Sequence, residues 1–351
     1  GLEHIAPGDL RIRRWADVAD GTTFTSVFKP GQVLFGKRRA YQRKVAVADF
    51  VGVCSGDIYV FEPSSDALMP KLLPFLCQTD AFFDHAVGTS AGSLSPRTNW
   101  KSLTDFEFLL PPIQEQARIV DALSAVEDVS EGYLGVQTAL DVLLASLIDA
   151  TAERGLKAGT AQTLADLVRE NRPICYGILM PGTGHEGGVP VVKVRDYPDG
   201  EILEEQLLLT SPEMDEDYRR SRLRSGDLII SIRGTIGRLA VVPKSLDGAN
   251  ITQDTARISL KSEFNVDYVR AMLESSFVQR QVASFVTGLA VQGINIGELR
   301  RVVIPIVAQS EQDELVKEIK EIRLRQRALG ERIASNVSLK ELLLEENFGL
   351  A

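Results

Sequence analysis

Cysteine and histidine are scarce in this chain of 351 residues, with three of each. Cys54, Cys77 and Cys175 stand apart with no CxxC spacing, an odd set that suits a reducing compartment and offers no zinc site. His4, His85 and His185 fall in no HExxH or other ligand spacing and read as surface or loop residues. Long apolar runs are also missing. The stretch 142–148 is far shorter than the roughly 20 residues that span a bilayer. The opening residues show neither a signal-peptide pattern nor an initiator Met. Gly1-Leu2-Glu3-His4-Ile5 reads as a domain interior, so a preceding segment is expected to be missing.

Catalytic signatures are absent as well. There is no GxSxG, no GxxxxGK[ST] and no strand-borne GxGxxG. Gly182, Gly184, Gly187 and Gly188 form a glycine-rich loop, but no helix follows to present its N-terminus to a phosphate, so the glycines are expected to make turns. Asp199, Glu201, Glu204 and Glu205 resemble a nuclease carboxylate cluster. They lack the lysine such a site needs two residues on, and read as a solvated acidic turn. No aromatic-tipped Asn-Pro-Pro motif for amino methylation occurs.

What is present is ordinary globular composition, 44% hydrophobic and 25% charged, at a length that allows two domains. A repeat organises it. Pro30-Gly31-Gln32-Val33-Leu34-Phe35-Gly36-Lys37-Arg38 aligns with Ser225-Gly226-Asp227-Leu228-Ile229-Ile230-Ser231-Ile232-Arg233. Gly52 to Asp57 aligns with Gly248 to Asp254. Phe108-Leu109-Leu110-Pro111-Pro112-Ile113 before Glu115-Gln116 aligns with Val303-Ile304-Pro305-Ile306 before Glu311-Gln312. The offset is 195 to 196 throughout, so the same elements recur in the same order.

After each Glu-Gln the apolar period turns helical. Ile119, Val126, Tyr133, Leu140 and Leu147 recur every seventh residue, with Ala122, Val129, Val136 and Leu143 three positions later, the a/d pattern of a coiled coil. Leu315, Ile322, Leu329, Asn336 and Leu343 repeat that register, widened by Ile319 and Ile333. Each run of about 40 residues would make a helix roughly 60 Å long. Gly132, Gly135 and Gly330 imply that packing holds them in place.

The expected fold is therefore α+β. Two mixed, mainly β domains, residues 1–112 and 156–309, are separated by two long antiparallel coiled-coil helices, 113–155 and 310–351, with a pseudo-twofold internal repeat. Helical stretches are expected at 65–76 and 265–285 within the domains. The segment 164–190 has no counterpart ahead of Leu2.

Basic clusters fall at equivalent places in the repeats. Lys37, Arg38, Arg39, Arg43 and Lys44, with Tyr41 among them, follow the first strand. Arg219, Arg220, Arg222 and Arg224 precede its counterpart, and Arg233 and Arg238 follow it, with Thr235 between. Arginine in a loop of small residues suits bidentate contacts with phosphate or guanine, whereas an isolated charge run is usually a solvated face. A second polar set comprises Ser90, Ser93, Ser95, Arg97 and Asn99 in one half and Gln292 and Asn295 in the other. Asn250, Thr252 and Gln253 lie beside the repeated Gly-to-Asp segment. These could read base edges or only make turns.

The repeat, Gly31-Gln32-Val33-Leu34-Phe35-Gly36-Lys37-Arg38-Arg39-Ala40-Tyr41, Gly52 to Asp57, and above all Leu110-Pro111-Pro112-Ile113-Gln114-Glu115-Gln116-Ala117-Arg118-Ile119-Val120 resemble the specificity subunit of type I restriction-modification systems. The second copy departs from the pattern, with a single proline and a longer run before its Glu-Gln. The resemblance implies two target-recognition domains, each reading half of a bipartite, asymmetric double-stranded DNA site, with the helices fixing the spacing. It implies two docked methyltransferase subunits that hold S-adenosylmethionine, a restriction and translocase subunit that can join them, no cofactor or metal in this chain, and a prokaryotic cytoplasmic setting. The DNA contacts are then expected at Lys37, Arg38, Arg39, Arg43, Lys44, Arg233 and Arg238, with Tyr41, Ser93, Asn99, Thr235, Asn250, Thr252, Gln253, Gln292 and Asn295 as lesser candidates. A protein-binding coiled-coil scaffold and a nuclease or methyltransferase with an unrecognised site remain as alternatives.

The net charge of −9 disfavours DNA only when taken whole. Residues 1–112 balance 12 basic against 12 acidic, and 113–155 carry 2 against 8, so two-thirds of the excess lies on the first long helix. Such a chain should bind DNA weakly by itself and rely on partner subunits for phosphate-binding charge.

Overall fold

The computed structural model describes residues 1–288 and 292–348, which form two units. The first comprises Gly1–Val136 together with the chain from Ala328 onward; the second is Gln137–Arg327.

In the first unit, β1 (Ser26–Phe28) leads through a Gly31 turn to β2 (Val33–Gly36), followed by β3 (Val45–Val47), β4 (Gly52–Cys54) and β5 (Ile58–Phe61). β2 is buried along its whole length and pairs antiparallel with β3 on one side and β5 on the other. β1 pairs with β4. The expected helix over 65–76 shrinks to α1 (Leu73–Leu76), because prolines at 70 and 74 limit helix to one short turn. α2 (Asp80–Gly88), capped by Thr79, leads into the hairpin β6 (Ser90–Ala91) and β7 (Arg97–Thr98), then α3 (Trp100–Leu103). Val33, Phe35, Phe75, Phe82, Phe83 and Leu103 form the core, joined by Ile119, Val120 and Leu123 from α4 (Ile113–Lys157). Each such buried side chain contributes about 1.5–3 kcal/mol.

The second unit continues from α4 through β8 (Gln162–Thr163), α5 (Leu164–Leu167), β9 (Cys175–Tyr176), β10 (Val189–Val192), β11 (Leu208–Thr210) and α6 (Pro212–Asp217). Then come β12 (Leu228–Ser231), β13 (Leu239–Val241), β14 (Asn250–Ile251) and β15 (Thr255–Ile258). β12 sits between β13 and β15 in the register that β2 keeps with β3 and β5: Leu228 faces Ile258 as Val33 faces Phe61. The difference lies beyond β15, where β9 adds a fourth strand and buries all four β15 residues. This is the segment without a counterpart in the first repeat. β10 pairs with β11 and, in parallel, with β14. In the glycine-rich loop Gly184 sits at φ +131°, and a Cβ on Gly188 would overlap the Thr210 carbonyl, so these glycines make turns and close approaches.

The helix expected at 265–285 divides into α7 (Val266–Glu274) and α8 (Ser276–Ser284), because Ser275 breaks the first and caps the second through the Val278 N–H. α9 (Ile296–Arg301) and β16 (Val303–Ile304) precede α10 (Gln309–Phe348).

Within each unit the two long helices run antiparallel. In the first, Asn336 donates to the Val126 carbonyl (3.0 Å) and Ser130 Oγ (2.7 Å), and Lys340 pairs with Glu127 at 2.5 Å. In the second, Gln326 donates to Asp141 at 2.7 Å and Arg154 to Glu311 at 3.0 Å. Ile119, Val126, Leu315, Ile322 and Leu329 are buried in these seams, while Tyr133, Leu140, Leu147 and Leu343 are half-buried. The companion positions need correction. Ala122, Val129, Val136 and Leu143 face outward, and the seam runs instead through Leu123, Ser130, Gln137 and Leu144. A residue four positions on rather than three completes each step, a 3-4 heptad with its labels shifted. α10 follows the same rule through Ile319 and Ile333. The outcome leaves Val129, Val136, Val142 and Leu143 on an exposed apolar flank of α4. That helix holds an 18-residue window of mean hydropathy 1.3, long and apolar enough by composition to cross a membrane, yet Asp141 in the same stretch is hydrogen-bonded to Gln326.

Candidate nucleic-acid interface

β2 ends in Gly36 and hands the chain to an ordered basic loop. A 3-10 turn, Ala40–Gln42, is flanked by Arg39 (φ 55°) and Arg43 (φ 54°), the only non-glycine residues of positive φ among those described. A left-handed arginine costs on the order of 1 kcal/mol, so surrounding contacts must hold it. The Arg39 N–H donates to the Pro96 carbonyl at 2.7 Å, and the Thr98 N–H donates to the Lys37 carbonyl at 2.8 Å. Arg38 and Arg97 form an antiparallel bridge. The β6–β7 hairpin thus lines the loop.

The five cations of this loop divide by what they touch. Lys44 Nζ donates to the Leu2 carbonyl at 2.6 Å. Arg43 donates to the Gln78 carbonyl (3.1 Å), pairs with Asp80 and lies 4.7 Å over the Phe83 ring. Both are spent on fixing the loop. Lys37 Nζ sits 4.3 Å over the Tyr59 ring. Arg39 is exposed, and its guanidinium has no partner among the described residues. Arg38 donates through Nε to Ser95 Oγ (2.6 Å) and through Nη1 to Asp57 Oδ2 (3.2 Å). Asp57 Oδ1 also accepts from Arg97 Nε at 2.9 Å. One carboxylate therefore orients two half-exposed guanidiniums. Partial burial opposes ionisation of Asp57, but the hydrogen bonds and positive charge of Arg97 and Arg38 prevail and hold its carboxyl below the usual range.

Tyr41 and Ser93 are exposed at this surface, beside Leu94 at the hairpin tip, which is 91% exposed. Asn99 is exposed but its side chain caps α3, accepting from the Lys101 N–H at 3.0 Å.

The second unit places a counterpart at the same position. Arg233 follows β12, its Nη1 4.0 Å from Asp254 Oδ1, and it bridges to Gly293 as Arg38 bridges to Arg97. Thr235 is exposed at the turn, where its carbonyl accepts from Ser231 Oγ. Arg238 is half-buried and reaches the Val194 carbonyl at 3.5 Å. Gln292 is exposed, and Asn295 caps α9 through the Glu298 N–H (2.9 Å).

Three candidates are corrected. Asn250 is fully buried, accepting from Ser221 Oγ (2.7 Å) and donating to Asp215 Oδ1 (2.8 Å). Thr252 is 5% exposed. Gln253 is half-buried, and with its amide assigned from hydrogen bonding the nitrogen donates to the Ile178 and Leu179 carbonyls at 2.7 and 2.8 Å. Asn250 and Thr252 complete the packing of β14 and its turn, where no base edge could reach them in this fold, and Gln253 is committed to backbone carbonyls. The acidic turn is likewise engaged within the unit, with Glu201 paired to Arg327 and Glu204 accepting from Ser245. Sequence reasoning left out Asp57 and Asp254 as partners, and it named Arg97 only in the second polar set, as a base reader or turn residue, and not among the expected DNA contacts. The signal was available, since the two aspartates close equivalent segments of the repeat.

Several known proteins are similar to this chain. Residues 16–132 match the type I restriction modification DNA specificity domain. The EcoBI specificity subunit of Escherichia coli is 29% identical over 160 residues, covering 45% of this chain and 34% of the relative. The EcoDI specificity subunit of the same organism is 30% identical over 164 residues, covering 43% and 36%. The matched stretch therefore spans about a third of the length of these relatives. A solved chain from a study of complex assembly and conformational transition of the type I R-M system superposes with a TM-score of 0.61 at 19% identity, covering 98% of this chain and 89% of that one. The type I restriction-modification S subunit from M. genitalium gives 0.51 at 13% identity, covering 99% and 91%. These two show the fold.

Proposed function

We propose, from the premise that residues 16–132 form a type I restriction modification DNA specificity domain, that this chain is the sequence-reading subunit of such a system. The observation that carries the reading is the arginine and aspartate couple at the same place in both repeats: Arg38 with Asp57, and Arg233 with Asp254. Each couple follows the central strand of its unit and is braced by a backbone bridge to a second segment. Oriented guanidinium donors on a rigid strand end suit the edges of bases or backbone phosphates in a duplex. Each unit would read one half of a bipartite double-stranded site, and because their polar loops differ, the half-sites would differ.

The long helices would set the spacing between half-sites, as dimer geometry sets it in other DNA-binding proteins. The exposed apolar flank of α4, with Val129, Val136, Val142 and Leu143, supports the docking of methyltransferase subunits. Those partners, two per chain, would hold S-adenosylmethionine and carry out catalysis, and a restriction and translocase subunit could join them, in the cytoplasm of a prokaryote. This chain would contribute recognition without a catalytic group, cofactor or metal of its own.

Charge reversal at Arg38 together with Arg39 tests the reading in the assembled methyltransferase complex. Binding to the cognate duplex should weaken through the first half-site only, so that changing that half-site costs the variant less than it costs the native complex. Unchanged affinity of the double variant would overturn the assignment.

A further inference from the structure

The two repeats are not equally equipped at their arginine couples. In the first unit, Asp57 holds two guanidiniums, Arg38 from the β2 end and Arg97 from β7. In the second, Asp254 faces Arg233 at 4.0 Å as its one cationic partner among the described residues, because the residue bridged to Arg233 is Gly293. Arg97 and Gly293 occupy the same place in the repeat, each bridged antiparallel to the arginine that follows the central strand. The first unit thus carries one more oriented donor fork.

Charge and geometry then sort the first unit's cations into two kinds. Arg38, Arg97 and Asp57 together carry a single positive charge spread over two guanidiniums, which makes them modest attractors of a phosphate. Each is nevertheless fixed through Nε, leaving terminal N–H groups in a set plane, and side-chain exposures of 40% and 55% leave them open to a ligand. Such a fork matches the paired O6 and N7 acceptors of guanine in a major groove. Arg39 is the opposite case, with an undivided charge on an exposed side chain that no partner orients. A free guanidinium of this kind suits phosphate, where charge counts for more than direction.

Resting on the DNA-reading function above, we propose that Arg97 is a specificity-determining residue for guanine in the first half-site, that Asp57 is the positioning residue for it and Arg38, and that Arg39 is a phosphate anchor. The second half-site has no counterpart to the Arg97 contact.

The test uses the full chain assembled with its methyltransferase partner, reading both the methylated motif in genomic DNA and duplex binding across a salt series. Native, Arg97→Gly, Arg97→Lys, Asp57→Asn and Arg39→Ala chains are compared. Arg97→Gly and Arg97→Lys should both relax the motif at one guanine of one half-site, losing roughly 5- to 150-fold of discrimination there, with the other half-site unchanged. Lysine keeps the charge and loses the fork, so its failure to rescue identifies directional readout. Asp57→Asn should relax the same position and a second one read by Arg38. Arg39→Ala should keep the motif, weaken all duplexes alike and lower the salt slope by about 1.

If Arg97→Lys restores the native motif while Arg97→Gly only weakens binding uniformly, the fork is a phosphate anchor and the inference fails, though the DNA-reading function stands. If the native complex marks no motif and binds no duplex selectively, the function itself fails.

Discussion

Gln116 and Gln312 stand at the same place in the repeat, one helical turn inside each long helix, and the structure uses them unequally. Gln116 is 1% exposed and makes three hydrogen bonds: Nε2 donates to the Ala67 and Pro111 carbonyls, both at 2.8 Å, and Oε1 accepts from the Met69 N–H at 2.8 Å. Gln312 is 6% exposed and makes one, from Nε2 to the Val307 carbonyl at 2.9 Å, while its buried Oε1 has no partner. Replacing Gln116 by leucine strands one N–H and two carbonyls in the interior. At about 1 kcal/mol for each bond lost, and more for the stranded donor, the first unit should lose about 3–4 kcal/mol. Replacing Gln312 by leucine strands one carbonyl but removes an oxygen that burial already disfavours, so the second unit should change by at most about 1 kcal/mol. Hydrogen exchange resolved by peptide is the suitable assay, because a chain of two units gives no single unfolding free energy. Protection in β2 and β5 should fall several hundredfold in Gln116→Leu, and protection in β12 and β15 should change less than tenfold in Gln312→Leu. Equal losses, or a larger loss for Gln312→Leu, would refute the reasoning.

Two further outcomes follow from the packing. Asn336 is a polar residue in a seam position, hydrogen-bonded to Val126 and Ser130, and such a residue fixes register at some cost in stability. Asn336→Leu should leave the thermal midpoint unchanged or higher; a loss of more than about 2 kcal/mol would show the asparagine to be stabilising instead. Burial pushes the Tyr268 phenol up to about 12. Its folded value lies above the ordinary value of about 10, so the neutral ring's contribution is complete below pH 10 and is lost as pH rises towards 12, about 3 kcal/mol in all. Tyr268→Phe should flatten that alkaline limb in pH-dependent unfolding, while costing about 1 kcal/mol at neutral pH for the hydrogen bond to Pro305; an unaltered limb would contradict it.

The repeat, the long helices and the strand cores were legible because they are written in spacing: a seven-residue apolar period and an offset kept over nearly 200 residues. The orientation of the helices was less so. Val129, Val136 and Leu143 make as good a stripe as Ser130, Gln137 and Leu144, and periodicity has no means of telling a buried stripe from one left for a partner. At the candidate interface, residue type misled where burial decides. Asn250 and Thr252 look like base readers, but β14 and the residue after it lie inside the fold, and the Asn250 amide is consumed by Ser221 and Asp215. Arg43 and Lys44 look as available as Arg39, yet Arg43 is tied to Asp80 and the Gln78 carbonyl and Lys44 to the Leu2 carbonyl. Asp57 and Arg97 are single residues 40 positions apart, and only strand pairing brings them together.

The first unit is built from two pieces of chain separated by nearly 200 residues, whereas the second is one uninterrupted stretch. Leu344 and Phe348 complete the first unit's core, and Lys340 and Asn336 tie α10 to it. On the ribosome the first unit therefore cannot finish folding until the second half of α10 has emerged, and the second unit can close before it. A nascent chain halted near Arg327, midway along α10, would hold a finished second unit and a first one still lacking Leu344 and Phe348 beside Ile119, Val120 and Leu123.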